Sequence, residues 1–104
     1  MQAVLQSPGY AIVERAQRWL NRHLGEPVVL ADLATHCHVS QRTLLRRFRE
    51  ATGESPEGAL QQLRVERAQG LLESTALPFE QITASCGYTD ASAFRRVFKR
   101  RPGS

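Results

Sequence analysis

One pattern occurs twice in this chain, and the repeat constrains the fold more than any other feature. Shifting residues 30–40 by 49 positions lays Leu30 on Phe79, Leu33 on Ile82, Cys37 on Cys86 and Ser40 on Thr89. One extra residue in the second turn makes the offset 50. Leu44 then meets Phe94, Arg46 meets Arg96, Phe48 meets Phe98, Arg49 meets Lys99 and Gly53 meets Gly103. Each copy is a short helix, a tight turn and a longer Arg-rich helix. That is the layout of a helix-turn-helix, which sends its second helix into the major groove of DNA.

Helical signals run along the rest of the chain. Ile12, Ala16, Trp19, Leu20, His23 and Leu24 share one face of a helix from Tyr10 to Leu24, which Gly25 and Pro27 end. A short helix is expected from Leu30 to Cys37. Ser40 is a suitable N-cap for a third, from Gln41 to Thr52, with Gly53 closing it. Ser55-Pro56-Glu57 supplies a cap, a first-turn proline and a first-turn acid for the longest helix, which runs to Glu73 with Leu60, Leu63, Ala68, Leu71 and Leu72 apolar. Pro78 opens another short helix to Cys86, and Thr89-Asp90 caps a last one to Arg100. No stretch alternates like a strand, so the expected fold is all-α, with about seven helices or fewer. Its boundaries are a flexible N-terminal segment over 1–9, a first helix-turn-helix subdomain over 10–54, a linker helix over 55–74 and a second subdomain over 75–104. The linker helix, about 18 residues rising about 1.5 Å each, is about 27 Å long. A strut of that length suits two recognition helices about one DNA turn, or about 34 Å, apart.

The charge follows the repeat. Of 14 cations 13 are Arg, and the net charge is +4. Residues 40–49 hold Arg42, Arg46, Arg47 and Arg49 with no acid, and residues 90–104 hold Arg95, Arg96, Lys99, Arg100 and Arg101 against Asp90 alone. The 40 residues between them carry six acids against Arg64 and Arg67. Two separated cationic blocks suggest two contacts with a polyanion. At about 100° per residue, Leu44, Phe48 and Ala51 turn to the core while Arg42, Leu45, Arg46 and Arg49 turn away. In the second copy Phe94, Val97 and Phe98 face inward, and Ser92, Arg95, Arg96 and Lys99 face out. Arg47 lies beside the core stripe, where it is expected to snorkel or to reach a phosphate. A single surface Arg is ordinarily just solvated; two matched, acid-free faces beginning at helix caps point to nucleic acid.

Other chemistries find little support. His36-Cys37-His38 cannot converge on one ion, and no CxxC or HxxxH partner accompanies it, so no metal or cofactor is expected. Cys37 and Cys86, at equivalent positions, read as small buried residues where helix meets turn. His23 reads as a packed helix-end residue. The sequence has no Gly-rich phosphate loop and no nucleophile elbow, which argues against an enzyme. No run has the length of a membrane span and no signal pattern opens the chain, so a cytoplasmic protein is expected. The rival reading from another class is a helical protein-interaction module for an acidic partner.

Several motifs resemble one family. The segment Val39-Ser-Gln-Arg-Thr-Leu-Leu-Arg-Arg-Phe48, followed by Ala51-Thr-Gly-Glu-Ser-Pro56, resembles the first helix-turn-helix of the AraC/XylS regulators of bacterial transcription. Arg64-Val-Glu-Arg-Ala68 with Leu71-Leu72 is similar to that family's linker helix, and Gly87-Tyr-Thr-Asp-Ala-Ser-Ala-Phe-Arg-Arg-Val-Phe-Lys99 to its second unit. The stretches Ala16-Gln-Arg-Trp-Leu20 and His23-Leu-Gly-Glu-Pro27 resemble the subgroup with an amidotransferase-like (DJ-1/PfpI-type) N-terminal domain.

The resemblance implies the DNA-binding part of a larger regulator, with its effector domain outside this chain. A double-stranded operator is the partner it implies, with RNA polymerase a second candidate. It also places base-reading residues at Arg42, Leu45, Arg46, Ser92, Arg95 and Arg96. Gln41, Arg49 and Lys99 are expected on phosphates, with Ser40 and Asp90 at the helix ends and Asp90 acting as a cap. The family pattern continues past the second Gly with Ser-Pro and a closing helix. The chain's ending at Gly103-Ser104 is therefore expected to leave the second unit shortened. Because its two units form an internal pair, this piece is expected to be monomeric.

Overall fold

The computed structural model describes residues 8–100, with side chains from Gly9 onward. It is all-helical, with six helices among the described residues: α1 (Pro8–His23), α2 (Leu30–His36), α3 (Gln41–Thr52), α4 (Pro56–Ser74), α5 (Phe79–Ser85) and α6 (Ala91–Arg100). Most of the expected segment over 1–9 and the Gly103 partner of Gly53 lie outside the described residues; Pro8 and Gly9 already belong to α1.

The two copies fold as the repeat requires. In the first turn Cys37 N–H donates to Leu33 O and Val39 N–H to Ala34 O. In the second, Cys86 N–H donates to Ile82 O and Tyr88 N–H to Thr83 O, the same pattern 49 residues on. Both turns pass through the left-handed region, at His38 (φ 60°) and Gly87 (φ 86°). Capping locates the extra residue. Ser40 Oγ accepts from Thr43 N–H and Ser40 O from Leu44 N–H, whereas Asp90 O accepts from Phe94 N–H and Asp90 Oδ1 from Ser92 N–H. Asp90 thus takes the part of Ser40, and Thr89 is the inserted residue. Its own α4 starts as expected, with Ser55 Oγ accepting from Gly58 N–H and Pro56 in the first turn.

Two apolar clusters form. The first gathers Val13, Ala16, Leu20 and Leu24 with Leu33, Leu44, Phe48 and Leu60. The second gathers Val65, Ala68, Ile82, Cys86 and Phe94, with Phe79, Val97 and Phe98 packed against it. The strut α4 therefore contributes to both, through Leu60 at one end and Val65 and Ala68 further along. Each unit gets a third helix this way: α1 covers the first copy and α4 the second.

Three expectations need correction. Ala51 is exposed, because α3 runs one turn beyond the core that ends at Phe48. Leu72 is also exposed, since the second cluster reaches the last turns of α4 through Leu71 instead. On α1 the buried stripe is centred on Val13, Ala16 and Leu20, while Ile12 and Trp19 lie half-buried at its margin. His23 packs on the Trp19 ring at 4.3 Å between centroids and its Nδ1 lies 3.2 Å from Glu26 Oε1.

The two turns make opposite demands on substitution. A Cβ at Gly87 would sit 2.7 Å from Leu24 O, so Gly87→Ala combines an unfavourable φ with a backbone clash. We expect it to cost about 2–4 kcal/mol in urea unfolding, while His38→Gly, relieving the same φ without that contact, gains about 0.5–1 kcal/mol. Thr83, where the first copy has Ala34, buries a hydroxyl that finds no partner among the described residues. Thr83→Val should therefore raise stability by about 1 kcal/mol in the same assay, and a loss of that size would mean that the hydroxyl is satisfied in solution.

Candidate nucleic-acid interface

The exposed face of α3 is built by what its other face buries. Leu44 and Phe48 are fully enclosed, so the intervening turns carry Arg42, Leu45, Arg46 and Arg49 outward, with Gln41 exposed at the start of the helix. Leu45 is 40% exposed, unusual for a leucine beside a well-packed core. Among the described residues no carboxylate pairs with Arg42, Arg46 or Arg49. Arg47 differs from them. It lies 3.7 Å from Glu50 and its side chain packs along Gly9 at the start of α1, so it lies against the first helix and an acid.

The second helix repeats this arrangement with one change. Phe94 is enclosed between Tyr88 and Phe79, at ring separations of 4.4 and 5.8 Å, and α6 exposes Ser92, Arg95, Arg96 and Lys99. Arg95 lies over the Phe79 ring with its guanidinium carbon 4.8 Å from the centroid. Stacking of this kind holds the plane of the guanidinium and leaves its N–H donors available. The helix N-termini add their own partial positive charge to both faces. All nine expected contact residues are thus exposed, five on α3 and four on α6. Ser40 and Asp90 serve as caps.

The connection between the two faces rests on a residue that the sequence pattern leaves inconspicuous. Arg64 of α4 is only 9% exposed. Its Nε donates to Leu24 O and its Nη2 to Glu26 O, both at 2.9 Å, and its guanidinium carbon lies 5.1 Å from the centre of the Tyr88 ring. The carbonyls belong to the loop after α1 and the ring to the turn before α6. Close packing around them is tight: a Cβ at Gly25 would come 2.9 Å from Ser85 O. In the sequence Arg64 is one of two cations among six acids and the first residue of the linker-helix motif, with no partner marked for it. The clue was its position, four residues after Leu60 and next to Val65 on a helix that must serve two cores.

Cys37 and Cys86 are both free and buried, each at the C-cap of its short helix. Burial pushes both thiols above the ordinary value, against the weaker opposing effects of Arg15 on Cys37 and of Ser85, Arg67 and Arg64 on Cys86. Cys37 Sγ is directed to Ile12 O at 3.8 Å, and the ring of the neighbouring His36 lies 6.2 Å from that of Trp19.

Residues 33–104 match the family described as a helix-turn-helix domain. The chain is 36% identical over 84 residues to the HTH-type transcriptional activator RhaR of Cronobacter sakazakii, covering 81% of this chain and 30% of that one. The DNA-binding domain of AdpA, a global transcriptional factor solved with a target DNA, superposes with a TM-score of 0.81 at 35% identity, covering 88% of this chain and 83% of that one. A Chromobacterium violaceum regulator described as carrying an AraC-type DNA-binding domain gives a TM-score of 0.83 at 28% identity, with 86% and 80% covered. The chain belongs to the AraC-type helix-turn-helix family. It spans 30–32% of the length of the curated relatives RhaR and RhaS that it matches.

For this AraC-type domain the Arg64 bridge explains how the two helix-turn-helix units are held in one frame. Arg64→Met should leave the Leu24 and Glu26 carbonyls without their donor and cost about 2–4 kcal/mol. Hydrogen exchange checks the mechanism. Amides of residues 24–26 and 87–88 should lose protection together, and loss confined to α4 would mean that Arg64 supports only its own helix.

Proposed function

We propose that this AraC-type domain binds a specific double-stranded DNA sequence as the reading part of a bacterial transcription regulator. In this reading α3 and α6 enter successive major grooves. The observation that carries the proposal is the pair of exposed cationic faces on the second helices of two like units, Arg42, Arg46 and Arg49 on one and Arg95, Arg96 and Lys99 on the other, none of them paired with a carboxylate among the described residues, joined by one 19-residue strut. The described residues extend 43 Å along their greatest dimension, longer than the about 34 Å between successive major grooves on one side of a duplex.

The assigned roles follow from side-chain chemistry. Arg46 and Arg96, at equivalent places, are bidentate donors to guanine O6 and N7, worth about 1–3 kcal/mol of discrimination each. Arg42 and Ser92 read neighbouring base edges, and Leu45 covers a thymine methyl. Arg95 reads from its stacked position on Phe79. Gln41, Arg49 and Lys99 grip phosphates and fix the register without reading sequence.

The wider context belongs to the same proposal. The parent regulator acts in the cytoplasm, carries an effector domain beyond this chain and contacts RNA polymerase when bound near a promoter. The domain alone is a monomer. The stretch Ala16–Pro27 supports an amidotransferase-like partner domain of the DJ-1/PfpI type, which the reading frame upstream of residue 1 will reveal or refute.

Selection of bound duplexes from a random library at physiological salt tests the central reading. The expected product is a motif of two short blocks about 10 base pairs apart. Arg46→Ala and Arg96→Ala should each relax preference at one position, one in each block. Lys99→Ala and Arg49→Ala should weaken all sequences alike and each lower the salt slope by about 1. No enriched motif, with tight binding to an acidic protein instead, would establish the interaction-module reading.

A further inference from the structure

A cleft of about 620 Å³ opens between the two helix-turn-helix units. Its walls come from every part of the domain: Leu33 and Leu45 from the first unit, Leu60 and Arg64 from the strut, and Gly87 and Tyr88 from the second turn. The volume falls in the range of about 300–1,000 Å³ that small-molecule sites occupy, and the lining joins leucines, prolines and the Tyr88 ring to the polar Ser55, Glu57, Gln61 and Arg64.

One cation, Arg64, stands in this wall. Arg64 is nine-tenths buried, and no carboxylate among the described residues pairs with it. Among the described residues its charge is met by two carbonyl dipoles and the face of Tyr88. Those carbonyl bonds use Nε and Nη2, so neither engages Nη1. A buried guanidinium without a counter-ion gains strongly from an anion that can reach it, because little water competes there. Glu57 also borders the cleft, and its negative charge disfavours multiply charged phosphates relative to a single carboxylate.

We propose that this cleft binds a small monocarboxylate with an aromatic or short aliphatic body, the carboxylate on Arg64 and the body between Leu60 and Tyr88. The site is separate from the duplex-reading faces except at Leu45, which borders both. A molecule seated there touches the first recognition helix and the turn that leads into the second. The proposal does not depend on the duplex reading, and its test uses no DNA.

Phenylacetate is a suitable probe, titrated into the domain by calorimetry and followed by thermal unfolding, with phenylacetamide and acetate as controls. Saturable one-site binding is expected, with the midpoint raised by about 5 °C at tenfold excess over Kd. Phenylacetamide should bind at least tenfold more weakly, and acetate should produce no saturable shift. Val28→Trp, at another lining position, fills the cleft without touching Arg64 and should abolish binding; Gln61→Trp does the same from the strut if the first variant is unstable. Equal binding of acid and amide would overturn the role of Arg64. Phenylacetate binding that survives both tryptophan variants would place the anion on the basic helices and overturn the site, as would no saturable binding.

Discussion

Arg64 joins three segments that lie far apart in the chain, and the frame of the domain depends on it. The loop after α1 ends with carbonyls that no further helical turn can satisfy. The strut brings a guanidinium to two of them, and the Tyr88 ring lies against that guanidinium. The positive charge also suits the negative end of the α1 dipole. Without the bridge, the first unit would be tied to the strut through Ala59, Leu60 and Leu63 and to the second turn by a narrow loop contact. With it, the two units share one rigid reference. Gly87 completes the contact by having no side chain where Leu24 O and Arg64 approach it.

Much of this domain was legible in its sequence because the information was local or repeated. The caps at Ser40, Ser55 and Asp90 act within three residues of themselves, and the helix limits followed from them within two residues. The exposed faces of α3 and α6 were legible for a similar reason, since burying Leu44, Phe48 and Phe94 leaves Arg42, Arg46 and Arg96 nowhere to go but outward. What escaped was set by tertiary placement. Ala51 has the right angle for the core and lies beyond its edge. Leu72 is apolar and faces away, while Val65 next to Arg64 became a central core residue. The role of Arg64 itself depends on partners 38 and 40 residues away, which no helical period encodes.

The two units are alike in backbone and unlike in chemistry. The first presents an exposed leucine at Leu45, where the second presents Arg95 stacked on Phe79. The first is closed by α1 over a fully buried Phe48, whereas its counterpart Phe98 is half-buried. One backbone scaffold thus carries two chemically different surfaces. The turns diverge in the same way, one tolerating a histidine at positive φ and the other requiring glycine for space as well as for φ.

The tight seam around Gly25, Ser85 and Gly87 bears on how such domains can be recombined. A half-domain cut at the ends of the strut looks like an interchangeable part, with its own core and its own reading helix. It is not self-contained, because the loop at 24–26 is shaped for one particular turn at 85–88 and for the arginine between them. A chimaera that exchanges one half for that of a relative must carry both sides of the seam or rebuild it. The fold thus accepts point changes on its exposed helix faces, away from the seam, more readily than exchange of whole units.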